Sequence, residues 1–354
     1  MKRNRTLCFS FTLILALFFT SCATTVKVNL TRPAQLDLNG AKTISVLPFK
    51  PYYYYKKADV SIGKQIVITT FYQIFDIRDP DEQLAMNTLK NQIERGLSDS
   101  PYIKLVSSDA VQQSLKKGTL NPADVYLTGE VIYFNITDKR SDKKKQIKAA
   151  EGNKLAEYQI ISTWRREATF NFKYQIVDSA DNRIIAFDEV HISKVSSEYD
   201  TKKMLPSAYS LLETDVKATA RKILRELQPY TVTKSIKLLE TKTKDKELKE
   251  RMKAVDEIVK NNRLTEASDK YAEIYEETGL VEAGYNAAIL QEALGNLSVA
   301  EKLMVDLYSR YPESRVEKGL SDIRYEIQQA KRLNKQIKAT EASGDLDDFD
   351  DVDF

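Results

Sequence analysis

His191 is the only histidine in the 354-residue chain, and Cys8 and Cys22 are its only thiols. A transition-metal site gathers several imidazoles, thiolates or carboxylates, and His191 alone supplies one ligand. A Ser–His–Asp relay built on His191 would need a nucleophile on a sharp strand-to-helix turn, and no G-x-S-x-G sequence provides it. Glu167, Asp188 and Glu189 are the carboxylates that could pair for glycan hydrolysis, but nothing in their spacing brings them to one cleft. None of the eleven glycines forms a phosphate-binding loop. These residues predict a protein without catalytic residues, metal or cofactor. The enzyme alternative, an envelope hydrolase, rests on His191.

Charge is segregated along the chain. Residues 1–21 hold Lys2, Arg3 and Arg5 and no acid, so their removal takes the net charge from +3 to zero. The last fourteen residues hold seven acids and no base, which leaves +7 on the body against −7 on the tail. A neutral mature chain argues against a nucleic-acid partner. The apolar run Leu7–Phe19 has the length of a signal-peptide core and is too short to span a bilayer. It ends in Phe19-Thr20-Ser21-Cys22, which resembles a bacterial lipobox, with Phe19 where Leu is commoner. The resemblance implies that residues 1–21 are removed and that Cys22 is acylated. Two or three acyl chains at about 0.8 kcal/mol per buried CH₂ then hold the chain stably to lipid. Ala23 and Thr24 follow instead of a retaining Asp, which by resemblance points to the outer membrane, facing the periplasm or the cell surface.

The elements expected next are those of an α/β domain over 40–232, reached through a tether over 22–39. Lys42–Phe49, ended by Pro48, reads as a buried strand, Asp81–Leu97 as an amphipathic helix, Tyr102–Val106 as a strand and Ser108–Lys117 as a short helix. Val125–Ile136 reads as a third strand with a bulge at Gly129. Tyr158, Ile160, Trp164, Ala168, Phe170, Phe172, Tyr174 and Ile176 share one parity, interrupted by Ser162 and Arg166. Such alternation needs a sheet with one dry and one wet face. A polar turn at Asp178–Asn182 returns the chain as Arg183–Val195. Pro206 opens a helix through Leu227 that Pro229 ends.

This order is similar to that of the curli-secretion lipoprotein family (CsgG-like) and the related periplasmic activators of penicillin-binding proteins. The likeness rests on the lipobox, on Ile44–Phe49, on Ala123–Val131 and on the hairpin ending at Ala186. Secretion-channel members of that family assemble amphipathic hairpins into an oligomeric barrel, so the resemblance raises a pore subunit as the alternative function. Pro51–Arg78, with Tyr52–Tyr55 at its start, and Ile132–Phe172 are the stretches that could insert. Asp138–Lys148 is expected to be a turn holding six cations, costly to pass through hydrocarbon. Lys143, Lys144 and Lys145 at its tip suit a membrane surface or an acidic partner.

From 245 to 337 the composition shifts to Ala, Leu, Glu, Lys and Tyr at helical spacing. Asn262–Ala267 with Tyr271 and Ile274 recurs as Gly295–Ala300 with Met304 and Leu307, an offset of 33 from Ala267 to Ala300. The pattern resembles degenerate tetratricopeptide repeats, with Gly284 nearest the missing Trp and Val316–Ile337 as a capping helix. The resemblance implies a groove for a protein or peptide partner, lined by Tyr285, Asn286, Leu290, Gln291 and Glu292. The alternative is a packing module. The tail over 338–354, acids interleaved with Leu346, Phe349, Val352 and Phe354, cannot build a core and is expected to be disordered and to dock on a basic surface.

The whole reads as an α/β (α+β) sheet domain with helices followed by an all-α repeat domain. The expected function is that of an acylated outer-membrane lipoprotein, a scaffold for protein partners in envelope assembly or secretion and a candidate homo-oligomer.

Overall fold

The computed structural model describes residues 24–52, 79–148 and 156–342. The lipobox with Cys22, the tyrosines at 53–55, the apolar stretch to 78 and the acidic tail from 343 lie outside the described residues. The architecture is α+β: a mixed sheet with helices, then a helical region of five helices. Two compact units divide the described chain. The sheet unit holds 31–231 with 329–342, and the helical unit holds 24–30 with 232–328.

In the sheet unit the strand order is β3-β2-β4-β5-β6, with β2 Thr43–Val46, β3 Lys104–Leu105, β4 Val125–Lys148, β5 Glu157–Asp178 and β6 Ile184–Val195. β2 pairs in parallel with β3 and β4, whereas β4, β5 and β6 form an antiparallel meander. Helices α1 (Pro80–Ser98) and α3 (Ala208–Leu227) contribute Leu89, Ile93, Leu212, Val216 and Ile223 to the core. That core also holds Ala168, Phe170, Phe172, Tyr174 and Ile176 of β5. Asp79 caps α1, accepting from the Asp81 N–H at 2.9 Å with Pro80 in the first turn, and Ser207 caps α3 at 3.1 Å. Helix α2 (Ser108–Lys117) packs on β2 with Val111 buried, so Ile44, Ser45 and Val46 are buried on both faces of the strand.

The ladder corrects two expectations. Gly129 is in regular register with Tyr174, and the bulge falls between Val131 and Tyr133. Gly129 is needed for close packing instead: a Cβ there would stand 2.3 Å from Cζ of Phe172 and 3.1 Å from the Lys173 carbonyl oxygen. Asp138–Lys148 is not a turn. Cross-strand pairing continues to Lys148, whose ammonium lies 3.0 Å from Glu157.

The helical unit contains α4 (Lys246–Lys260), α5 (Leu264–Thr278), α6 (Val281–Ala293), α7 (Leu297–Arg310) and the first part of α8 (Ser314–Ala342). Ala267 and Ala300, the small residues of the 33-residue offset, are fully buried with Ala288 between paired helices. Two strands unforeseen in the sequence belong mainly to this unit: β1 (Thr25–Arg32), inside the expected tether, and β7 (Tyr230–Lys237), which pair with each other. Alternation in Thr25-Val26-Lys27-Val28 escapes notice in so short a segment, and burial of Val26 with Ile236 and Leu238 in the helical core makes it a strand. Among the described residues no helix is long and apolar enough to cross a membrane.

Gly129→Ala tests the close approach. Its Cβ forces the Phe172 ring against Phe49, whose centroid is 4.8 Å away, and the expected loss is about 1–3 kcal/mol in urea unfolding. Combining it with Phe172→Leu should cost less than the sum of the two single changes.

Candidate functional site

Two features stand out from the rest of the molecule. The first is the distal part of the β4–β5 hairpin. β6 pairs with β5 only from Glu167 onward, so Lys139–Lys148 and Glu157–Arg165 continue as a two-stranded ribbon beyond the five-stranded sheet. A helix rises about 1.5 Å per residue and a strand about 3.3 Å, so a 20-residue helix covers about nine strand residues. Ala168–Ile176, the buried part of the alternating stripe, is that nine-residue stretch. Tyr158, Ile160 and Trp164 keep the same parity past the end of the cover. Tyr158 is 60 % exposed and Ile160 63 % exposed, while Trp164 is half-buried.

A clasp fixes the point where the ribbon leaves the sheet. Arg166 pairs across the ladder with Asp138, its Nε and Nη2 donating to the two carboxylate oxygens at 2.7 and 2.9 Å. Nη1 donates to the Pro206 carbonyl at 2.9 Å, ahead of α3, and the Arg166 N–H donates to Ser196 Oγ at 2.9 Å. Lys202 approaches Asp138 to 3.3 Å. The Arg166 hydrogen bonds hold the Asp138 carboxyl below its ordinary pKa against the effect of burial. Trp164 exchanges backbone hydrogen bonds with Tyr199 at 2.7 and 2.8 Å, which closes the β5 edge beside the clasp.

Beyond that base the ribbon is cationic on both faces. Arg140, Lys144 and Gln146 pair with Trp164, Ile160 and Tyr158 on one face; Lys139, Lys143 and Lys145 pair with Arg165, Ile161 and Gln159 on the other. Seven cations from Lys139 to Arg165 stand against Asp142 and Glu157 among the described ribbon residues. Lys143 is bound by Glu198 at 2.7 Å and Lys139 by Glu167 at 2.5 Å. Lys144 and Lys145 are exposed and carry no ion pair among the described residues.

The second feature is the surface of α6 that the repeats were expected to offer. The structure corrects that expectation. Asn286 and Leu290 are fully buried, Glu292 is buried, and Tyr285 and Gln291 are half-buried. Their partners belong to the chain itself. Asn286 Oδ1 accepts from the Leu239 N–H at 2.7 Å, and its Nδ2 donates to the Leu239 carbonyl at 2.9 Å. Glu292 and Glu326 take the Lys234 ammonium at 2.5 and 2.8 Å. Burial disfavours that ammonium, yet the two carboxylates keep its pKa above the ordinary value; burial pushes the Glu292 carboxyl up. Gln291 donates to Ser268 Oγ at 2.8 Å. The groove is thus filled by Lys234–Leu239, an extended segment whose Ile236 and Leu238 enter the helical core. The alternation Lys234-Ser235-Ile236-Lys237-Leu238 was the available signal.

At the other end of the same ladder the Leu238 N–H donates to the Thr24 carbonyl at 2.9 Å, and Thr24 also hydrogen-bonds Asp256. Asp256 accepts from the buried Tyr271 hydroxyl at 2.6 Å, and burial raises its pKa. Thr24, two residues past Cys22, is therefore bound to α4. The residues weighed for catalysis are dispersed: His191 is exposed and faces Asn171 across the ladder, Glu167 pairs with Lys139, Asp188 with Lys222, and Glu189 lies opposite Lys173. No group of three metal-ligating side chains occurs among the described residues.

No family model matches the chain, and no curated protein does. Among solved structures, the PelC dodecamer from Paraburkholderia phytofirmans is 12 % identical, covering 58 % of this chain and 98 % of its own, with a TM-score of 0.26. Protein XCC0632 from Xanthomonas campestris is 13 % identical over 57 % of this chain and 91 % of its own, at 0.29. Lipoprotein GNA1162 from Neisseria meningitidis is 14 % identical over 51 % of this chain and 97 % of its own, at 0.22. Likeness at this level carries no argument about function.

Two measurements test the site. Asn286→Ala removes the partner of the half-buried Leu239 N–H and carbonyl, and stability should fall by about 1–3 kcal/mol in all. Hydrogen exchange at Leu239 should rise with it. Asp138 has its pKa lowered in the fold, so its stabilisation is present above the unfolded value of 3.8 and is lost as pH falls through the lower folded value. Asp138→Asn should be less stable near neutrality and lack that share of the acid-induced loss, read from urea midpoints across the acid range.

Proposed function

We propose that this chain is a lipid-anchored envelope lipoprotein that faces the periplasm from the outer membrane and acts as a scaffold for protein partners. The observation that carries the scaffold reading is the ribbon: an ordered, cationic element with exposed Tyr158 and Ile160 that contributes to neither core. An amphipathic surface of this kind gains from covering its apolar groups and from meeting carboxylates or phosphates. Lys143, Lys144 and Lys145 are its contact residues. The anchor reading rests on Cys22 in its lipobox-like setting. With Thr24 bound to α4, an acylated Cys22 would hold the helical unit within about 7 Å of chain from the lipid. In this reading the sheet unit is CsgG-like and the helices are tetratricopeptide-like repeats whose groove is satisfied internally, so partner contact moves from α6 to the ribbon. The scaffold does no chemistry, holds no cofactor and binds no nucleic acid.

The ribbon does not favour the pore-subunit alternative. A membrane-spanning strand needs one lipid-facing apolar parity over about 9–11 residues, and here both parities carry lysines or arginines. The stretch Pro51–Arg78, the other candidate for insertion, lies almost wholly outside the described residues.

Radiolabelled palmitate should enter the chain and fail to enter Cys22→Ser, which should also leave the membrane fraction. In intact cells, crosslinking should capture protein partners with the wild-type chain and lose them with Lys143→Glu/Lys144→Glu/Lys145→Glu. Unchanged capture by that variant would remove the scaffold reading, and absent label would remove the anchor.

A further inference from the structure

We infer that the ribbon receives the acidic segment Ser343–Phe354 of a second copy of this chain. This names the partner of the docking surface proposed above and rests on that reading, but not on the lipid anchor. The two surfaces match in charge and in apolar content. The ribbon offers Lys144 on the face of exposed Tyr158 and Ile160 and Lys145 on the opposite face, and neither lysine has an ion pair among the described residues. The segment offers Asp345, Asp347, Asp348, Asp350, Asp351 and Asp353, interleaved with Leu346, Phe349 and Val352 at three-residue spacing. In an extended left-handed helix of three residues per turn, that spacing puts the apolar side chains on one face and carboxylates on the others. One face then covers Tyr158 and Ile160 while the flanking carboxylates meet Lys144 on that face and reach round the ribbon edge to Lys145.

Reach decides that the partner is another copy. Helix α8 ends beside the start of the sheet: Gln336 hydrogen-bonds the backbone of Ala34 and Leu36, and a Cβ on Gly40 would lie 3.0 Å from the Ala339 carbonyl. The Lys42 backbone N–H donates to the carboxylate of Asp124, the residue before β4, at 2.8 Å. From Val125 to Lys144 β4 runs about 60 Å. Phe349 lies at most about 25 Å of extended chain beyond Ala342. Even with the last turn of α8 aimed the right way, the segment cannot lie along the outer half of its own ribbon. A contact from the tail of one copy to the ribbon of the next is heterologous, and repeats until it closes into a ring or runs on as a filament.

The test uses the full chain in detergent micelles. Sedimentation velocity should show self-association that weakens about tenfold or more between about 50 and 500 mM salt. Truncation after Ala342 and the triple Lys→Glu variant at 143–145 should each abolish it. Mixing these two chains should restore a one-to-one complex, since one brings an intact ribbon and the other an intact tail. A photo-crosslinking side chain in place of Phe349, in a mixture of ¹⁴N and ¹⁵N copies, should join different copies near Ile160. Crosslinks confined to one copy, for example to Tyr102 beside the end of α8, would overturn the inference. So would a monomer at every salt concentration, or association unmoved by truncation. If truncation changes nothing while the triple variant still loses its partners in cells or its hold on anionic vesicles, the docking surface stands and the tail is not its occupant. If the triple variant also changes nothing, both readings fall.

Discussion

A polypeptide gains about 1.5 Å per residue as a helix and about 3.3 Å as a strand, and the sheet unit is organised by that difference. Helices of 19 and 20 residues lie over strands of 24 and 22 residues. The helices can dry only the inner part of the hairpin, where Phe170, Phe172 and Tyr174 stack along β5 with ring centroids 6.1 and 6.3 Å apart. Outside the cover the same strands persist without a core. Their cross-strand hydrogen bonds and ion pairs maintain them, and the Asp138–Arg166 clasp fixes their departure from the sheet. That clasp is part-buried and multiply hydrogen-bonded, the setting in which removing one partner costs more than the pair is worth.

The helical unit follows a different logic. Its helices share their core with an extended segment of the chain itself, Lys234–Leu239. Asn286 grips a backbone amide and carbonyl, a mode indifferent to the side chain of Leu239, while Ile236 and Leu238 supply apolar area and Lys234 meets two carboxylates. An extended peptide in a repeat groove would be recognised by the same three terms. Here the segment is covalently continuous with the helices, so its local concentration exceeds that of any free competitor. Lys234–Leu239 thereby contributes to the core of the helical unit, whereas the distal ribbon adds to neither core.

The period-two stripe of β5, the amphipathic helices and the 33-residue offset were legible because each is a local periodicity that burial on one side imposes. Small residues at that offset predict helix contacts, and Ala267 and Ala300 are fully buried. The groove residues were placed on the right helix, but their side chains face inward, and no local pattern distinguishes a groove awaiting a peptide from one already filled. A glycine inside a strand pattern predicts a bulge, but Gly129 serves close packing against Phe172, which lies 43 positions away in sequence and is brought to it only by the ladder.

What the sequence determined by itself is therefore local and compositional: the lipobox-like setting of Cys22, the separation of basic body from acidic tail, the succession of strands and helices, and the single histidine. Tertiary structure decided where the dry stripe stops, that Lys143–Lys145 stand on a ladder instead of in a turn, and that Thr25–Arg32 and Tyr230–Lys237 pair across some two hundred residues. The physical reason is the same in each case. Periodicity records that a face is covered, whereas the identity and length of the cover depend on segments far away in the chain.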